Sequence, residues 1–180
     1  MGLNTAIIQK IYIAYFSRPA DVPGLEYWEK QIDQKMIGIE GLAQSFSQQI
    51  EYQTMYGGKS TREVISSMYR NLFGREADKL GLDYWTLQVE TGAVNMGTAA
   101  LAILNGPQAG SSDAQIIENK VKFSLGFTAI LQSTPKSNDA YKTSAAFTQI
   151  REALQNVSID PSTAIVNVPS LSTPLEISRH

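Results

Sequence analysis

Arg18-Pro19-Ala20-Asp21-Val22-Pro23-Gly24-Leu25-Glu26-Tyr27-Trp28 returns 57 residues later as Arg75-Glu76-Ala77-Asp78-Lys79-Leu80-Gly81-Leu82-Asp83-Tyr84-Trp85. Seven of the eleven positions are identical, and both tryptophans of the chain fall inside the two copies. An internal repeat sets the architectural unit before any single residue is weighed. In the first copy Pro19 disfavours helical geometry at Arg18 and lacks a backbone N–H, so the preceding helix must stop there. Asp21 and Asp78 then stand where an N-cap carboxylate accepts from free N–H groups. Pro23 sits in the first turn, where a missing donor costs little. The phrase therefore reads as the end of one helix and the start of the next.

Working outward, residues 5–16 place Ile7, Ile8, Ile11, Tyr12, Tyr15 and Phe16 on one helical stripe. A second helix carries Leu25, Trp28 and Ile32 and ends at Gly38. A third runs over about 39–54, and Gly57-Gly58 closes the unit. The plan then repeats. Ser60-Thr61-Arg62-Glu63 forms a capping box ahead of Val64, Ile65, Met68, Tyr69, Leu72 and Phe73. Asp78 caps the next helix, Gly92 ends it, and an Ala-rich helix covers about 95–105. After a Gly/Ser loop, Ser112 with Gln115 caps a helix over roughly 113–132, and a last one spans roughly 138–156. Beyond Val157 three prolines lie among Ser, Thr, Val and Ile without helical period. The expected architecture is all-α with about eight helices. Repeat units of about 5–58 and 61–105 are joined to a helix pair over 112–156, giving a helical domain over 1–156. Residues 157–180 read as an extended linker to a downstream domain.

Composition narrows the function. Fifteen basic and seventeen acidic residues give a net charge of −2, so no basic footprint for nucleic acid exists. No run approaches the ~18 apolar residues of a membrane span, and membrane insertion is not expected. There is no cysteine, which excludes disulfides, thiolate metal sites and cysteine nucleophiles. Charged residues make up 18%, and Ser, Thr, Asn, Gln and Ala fill the deficit. Such a surface suits contact with sugars or with copies of itself.

The only histidine is the terminal His180, so no Ser-His-Asp, Cys-His or zinc arrangement can be assembled, and no catalytic residue is assigned. The chain is not expected to be an enzyme. The acidic residues of the two phrases lack the dense oxygen spacing of a calcium loop, so no metal or cofactor is assigned to this domain. Arg18, Asp21, Trp28, Arg75, Asp78 and Trp85 read as structural. The arginines reach across the loop to the aspartates or to helix-end carbonyls, and the tryptophans fill the centre of each half. Gly24 and Gly81 allow close passage of a neighbouring helix. Tyr52, Tyr56 and Lys59 form the candidate carbohydrate contact, with helix-end packing as the simpler alternative.

The two motifs, Tyr12…Phe16-Ser17-Arg18-Pro19-Ala20-Asp21…Tyr27-Trp28 and Tyr69…Phe73-Gly74-Arg75-Glu76-Ala77-Asp78…Tyr84-Trp85, resemble the domain-of-unknown-function 4214 family, itself similar to phycobilisome linker domains. The resemblance covers roughly residues 5–105, and the second copy is the closer match. It implies a helical module of large secreted bacterial proteins, such as surface-layer proteins and adhesins exported by type I secretion, with calcium-binding repeats in downstream domains. In some surface-layer proteins a helical N-terminal domain binds the O-polysaccharide of lipopolysaccharide. By that analogy the chain is expected to be an extracellular, non-catalytic anchor on the bacterial cell surface, self-assembling through the full-length protein. The alternative is a purely structural self-association or linker module.

Overall fold

Nine α-helices form among the described residues of the computed structural model, which are 2, 4–134 and 139–166, and no strand occurs among them. They are α1 Thr5–Phe16, α2 Val22–Asp33, α3 Ile39–Phe46, α4 Ile50–Tyr56 and α5 Thr61–Phe73. Then follow α6 Lys79–Glu90, α7 Met96–Asn105, α8 Ser112–Ser133 and α9 Ser144–Gln155. A short 3-10 turn spans Pro161–Ala164. The all-α expectation holds, and α2 and α6 begin and end at positions 57 apart.

Local chemistry explains most boundaries. Ser60 and Glu63 make the reciprocal capping box at α5. Asp78 accepts from the Gly81 N–H at 2.7 Å, whereas Asp21 makes no such bond and lies 3.6 Å from the Arg18 guanidinium instead. The long helix α8 is capped by Ser111, one residue before the position expected from sequence. Helix α2 stops at Asp33, ahead of Gly38, which sits at the N-cap of α3. The helix expected over 39–54 is two helices. Ser45 and Ser47 donate their hydroxyls back to the Leu42 and Gln44 carbonyls, and the chain turns through 47–49 before α4 starts. The last helix begins at Ser144, capped by Thr143, later than expected; residues 135–138 lie outside the described residues.

Helix α1 is the centre of the molecule. Its apolar stripe is buried apart from the half-buried Ile7, and so are Gln9, Ile13 and Ala14 on its other faces, because α2, α4, α5, α7 and α8 surround it. Its repeat partner α5 keeps one open side. A polar bridge ties the core together: Gln9 donates to Thr128 on α8 at 2.9 Å, and Thr128 donates to the Ala20 carbonyl at 2.9 Å. The Ala20 N–H in turn donates to Gln9 Oε1 at 2.8 Å, so every member is satisfied inside the core.

The segment after α9 departs from the linker reading. Val157 is buried, and Asn119 on α8 donates to the carbonyls of Ser158 and Ile159 at 2.9 and 3.2 Å. Val166 packs against the core. Residues 157–166 are therefore docked on α8, because one buried amide captures two backbone acceptors that have no sequence signature. The remainder of the proposed linker, 167–180, lies outside the described residues.

Helices α3 and α7 meet at Gly97. A Cβ there would overlap the backbone of Gln44, and the Gly97 N–H donates to Gln44 Oε1 at 2.9 Å. Gly97→Ala is expected to lower unfolding stability by about 2–3 kcal/mol in urea titrations, since backbone cannot yield as a side chain does. Gly126→Ala on α8, where the new methyl meets, among the described residues, the Val166 side chain at 3.4 Å, is expected to raise it by up to ~1 kcal/mol.

Candidate functional site

The two copies of the repeated phrase share a backbone course but occupy opposite environments. Arg18 is 4% exposed. Its Nε and Nη2 donate to the two oxygens of Glu51 on α4 at 2.9 and 2.7 Å, and Nη1 donates to the Pro19 carbonyl at 2.9 Å. The guanidinium stacks over Phe147 of α9 at 4.3 Å and over Tyr12 at 5.1 Å. Arg151 of α9 joins the same carboxylate at 2.7 Å and donates to the Phe16 carbonyl at the end of α1 at 2.8 Å. Tyr141 donates its hydroxyl to the Pro19 carbonyl at 3.1 Å. Burial opposes the charge on Arg18, but the Glu51 hydrogen bonds outweigh it and hold the guanidinium protonated. Burial, reinforced by Asp21, pushes the Tyr12 phenol well above its ordinary range.

Arg75 makes the corresponding contacts in the open. It grips Asp113 at the start of α8 through Nε and Nη2, at 3.0 and 2.6 Å, and donates to the Glu76 carbonyl at 2.9 Å. Thus Arg75 binds the next helix and not Asp78, while Arg18 binds α4 more tightly than Asp21. The two glycines of the phrases each face a tyrosine hydroxyl: a Cβ on Gly24 would overlap that of Tyr12, and one on Gly81 would come 3.1 Å from that of Tyr69.

The tryptophans do not fill the centre of each half. Trp28 and Trp85 are half-buried at the rim, and Phe46 takes the central place, stacked on Phe16 at 5.4 Å and edge-on to Tyr12 at 4.9 Å. Each Trp is met edge-on by the preceding tyrosine, at 4.8 and 4.9 Å, and Tyr27 and Tyr84 are each 54% exposed. A second buried cation was not anticipated from sequence. Lys120 on α8 is fully buried and donates to the Asn71 carbonyl near the C-terminus of α5 at 2.6 Å. Its only sequence signal is a lysine on an otherwise apolar face.

Tyr52, Tyr56 and Lys59 do not make an open sugar platform. Tyr56 is 5% exposed and donates its hydroxyl to the Tyr15 carbonyl at 2.5 Å, and burial pushes its phenol up to about 12. Tyr52 is half-buried between Tyr15 and Tyr56, and only Lys59 is free in solvent, its Nζ 5.8 Å from the Tyr56 ring. The packing is that of a helix end closed over the core.

A groove of about 420 Å³ lies instead between α3 and α7, beyond the Gly97 contact. Ile39, Leu101 and Ala102 supply its apolar lining, and Glu40, Thr98 and Asn105 its polar groups. Glu40 has no ion-pair partner among the described residues. Thr98 donates to Asn95 at 3.2 Å, which leaves its oxygen free to accept. A carboxylate, an amide and a hydroxyl beside aliphatic surface can bind a ligand that bears many hydroxyls. Among the described residues no three His, Cys, Asp or Glu side chains are grouped to hold a metal, and no helix is long and apolar enough to cross a membrane.

Fold and site define a helical-repeat module with an open, largely apolar groove edged by a few polar groups, and no assembled catalytic constellation among the described residues. Residues 43–108 match the model of a family described as Domain of unknown function (DUF4214), which bears out the resemblance drawn from the repeated motifs over that stretch. The matched stretch holds the whole second phrase, and it includes every groove residue except Ile39 and Glu40. No curated protein and no solved structure matches the chain.

Two outcomes check this electrostatic picture. Arg18→Met is expected to cost about 2–4 kcal/mol by chemical denaturation, because it strands the Pro19 carbonyl and leaves the Glu51 carboxylate to Arg151 alone. The matching Arg75→Met is expected to cost less than about 1 kcal/mol, its ion pair being solvated. Burial pushes the Lys120 amine down to about 8, from 10.5 for a free lysine. Between those values the unfolded chain holds more protons, so stability rises as pH climbs through about 8 toward 10. The expected gain is on the order of 2–3 kcal/mol. Above pH 10 the buried tyrosines, whose phenols titrate late, reverse the trend. Melting curves of Lys120→Met between pH 7 and 10 should lack the rise.

Proposed function

We propose that this module is a non-catalytic anchor of a bacterial surface-layer or related type I secreted protein, holding it to the cell exterior through the O-polysaccharide of lipopolysaccharide. The observation that supports this reading is the groove between α3 and α7. Its volume of about 420 Å³ fits one or two sugar residues, and its polar side chains include both acceptors and a donor amide. The low charged fraction of the chain, 18% of residues, and its net charge of −2 favour neutral hydroxyl-rich ligands over polyanions. Single contacts of this kind are weak, and they gain strength when many copies engage one polysaccharide-coated surface.

Titration calorimetry with smooth lipopolysaccharide tests the reading. Glu40→Ala and Asn105→Ala are each expected to weaken binding by about tenfold while leaving the melting temperature unchanged, since both side chains are exposed. Lipopolysaccharide stripped of its O-chain should not bind. Equal binding of both forms, or none of either, defeats the proposal.

A further inference from the structure

Helix α6 has two apolar faces. Leu82, Trp85 and Val89 pack inward on the core. On the opposite side Leu80, Tyr84 and Leu87 are 82%, 54% and 57% exposed, and none of the described residues buries them. Their spacing of four and then three residues is that of a heptad seam, which is the pattern of helices that pair with helices. The internal repeat supplies a control. The corresponding positions of α2 are Pro23, Tyr27 and Lys30, so the first copy builds the same helix without the stripe. The outer leucines of α6 are therefore not demanded by the fold that both copies share.

We propose that α6 is a self-docking helix, pairing antiparallel with α6 of a second copy of this chain about a two-fold axis near Asp83 and Tyr84. A two-fold contact needs a patch that complements itself. Read in either direction, the stripe is Leu, Tyr, Leu, so Leu80 of one copy meets Leu87 of the other and the tyrosines cross beside the axis. Charge selects the antiparallel sense. Lys79 stands at the N-terminal end of α6 and Glu90 at its C-terminal end. In that register Lys79 stands opposite Gln88 of the second copy, two residues from Glu90 and within reach of its carboxylate, whereas parallel pairing brings the two Lys79 ends together and the two Glu90 ends together. Asp83 would otherwise repel its counterpart near the axis. Lys79 and Arg62 each hold its carboxylate at 2.6 Å, which neutralises it and keeps it below the usual carboxylate range.

The stripe offers on the order of 400 Å² per copy, half of the ~800 Å² that each partner contributes to a standard interface. The dimer is accordingly weak in dilute solution and strengthened where copies are concentrated on one surface. It uses a helix that contributes nothing to the α3–α7 groove, so sugar binding and self-docking can fail independently.

Sedimentation equilibrium of the full chain from roughly 10 µM to 1 mM is the test. A monomer–dimer equilibrium is expected, and Leu87→Ser and Leu80→Ser should each weaken it about tenfold or more with unchanged helical signal and melting temperature. Because the chain has no cysteine, orientation can be read directly. A mixture of Leu80→Cys and Leu87→Cys should cross-link on mild oxidation in preference to either variant alone. A wild-type chain monomeric throughout overturns the proposal, including the case in which residues 167–180 cover the stripe. So does a dimer indifferent to both serine variants, or cross-linking of Leu80→Cys to itself.

Discussion

The half-buried carboxylate of Glu51, shared between the buried Arg18 and Arg151, is the constraint on which the arrangement of the other helices rests. Arg18 sits at the end of α1, Glu51 on α4 and Arg151 on α9, so the cluster closes only when all three segments arrive together. Removing charges from water is costly, and their mutual attraction returns little net stability. What the cluster contributes is uniqueness: only this docking of α9 brings Arg151 onto the Glu51 carboxylate and the Phe16 carbonyl and lays Phe147 over the Arg18 guanidinium. The aromatic faces of Tyr12, Phe147 and Tyr141 around the guanidinium shield it and add to its hold on α9.

The same phrase does different work in its two settings. Around the first copy, α8, α9 and the segment preceding it cover the loop, engaging its carbonyls through Thr128, Tyr141 and Arg151. Around the second, Asp113 meets the arginine and Arg62 and Arg70 of α5 hold Asp83 and Glu76, but the arginine remains in solvent. Duplication thus produced two similar helical hairpins, of which one became the interior and the other the surface. The open half carries the exposed stripe of α6 and most of the groove lining on α7, and the proposed interactions with sugar and with a second copy both belong to it.

Much of this was legible in the chain. The capping box at Ser60, the Asp78 cap and the 57-residue offset place α5, α6 and α7 within a residue or two, because those signals act through hydrogen bonds between near neighbours. The break at 47–49 is not legible in the sequence, since it depends on serine hydroxyls choosing backbone acceptors within an apparently continuous apolar period. The candidate sugar contact at Tyr52, Tyr56 and Lys59 was drawn from residue type alone. Which way Tyr56 turns is decided by the carbonyl of Tyr15, forty-one residues away. The groove had no signature either, because Glu40 and Asn105 are ordinary surface residues until α3 and α7 are brought side by side at Gly97.

Sequence alone therefore determined the helical class, the repeat and the family resemblance over the second copy, as each is carried by phrases of about a dozen residues whose identities can be read without knowing what they pack against. Tertiary structure alone decided that α1 is the central helix and α5 a peripheral one, that Arg18 is buried and Arg75 exposed, and that Trp28 and Trp85 stay at the rim. The physical reason is that burial belongs to the whole assembly. Two nearly identical phrases meet different neighbours, and only the closing of α4, α8 and α9 over the first one sets the two apart.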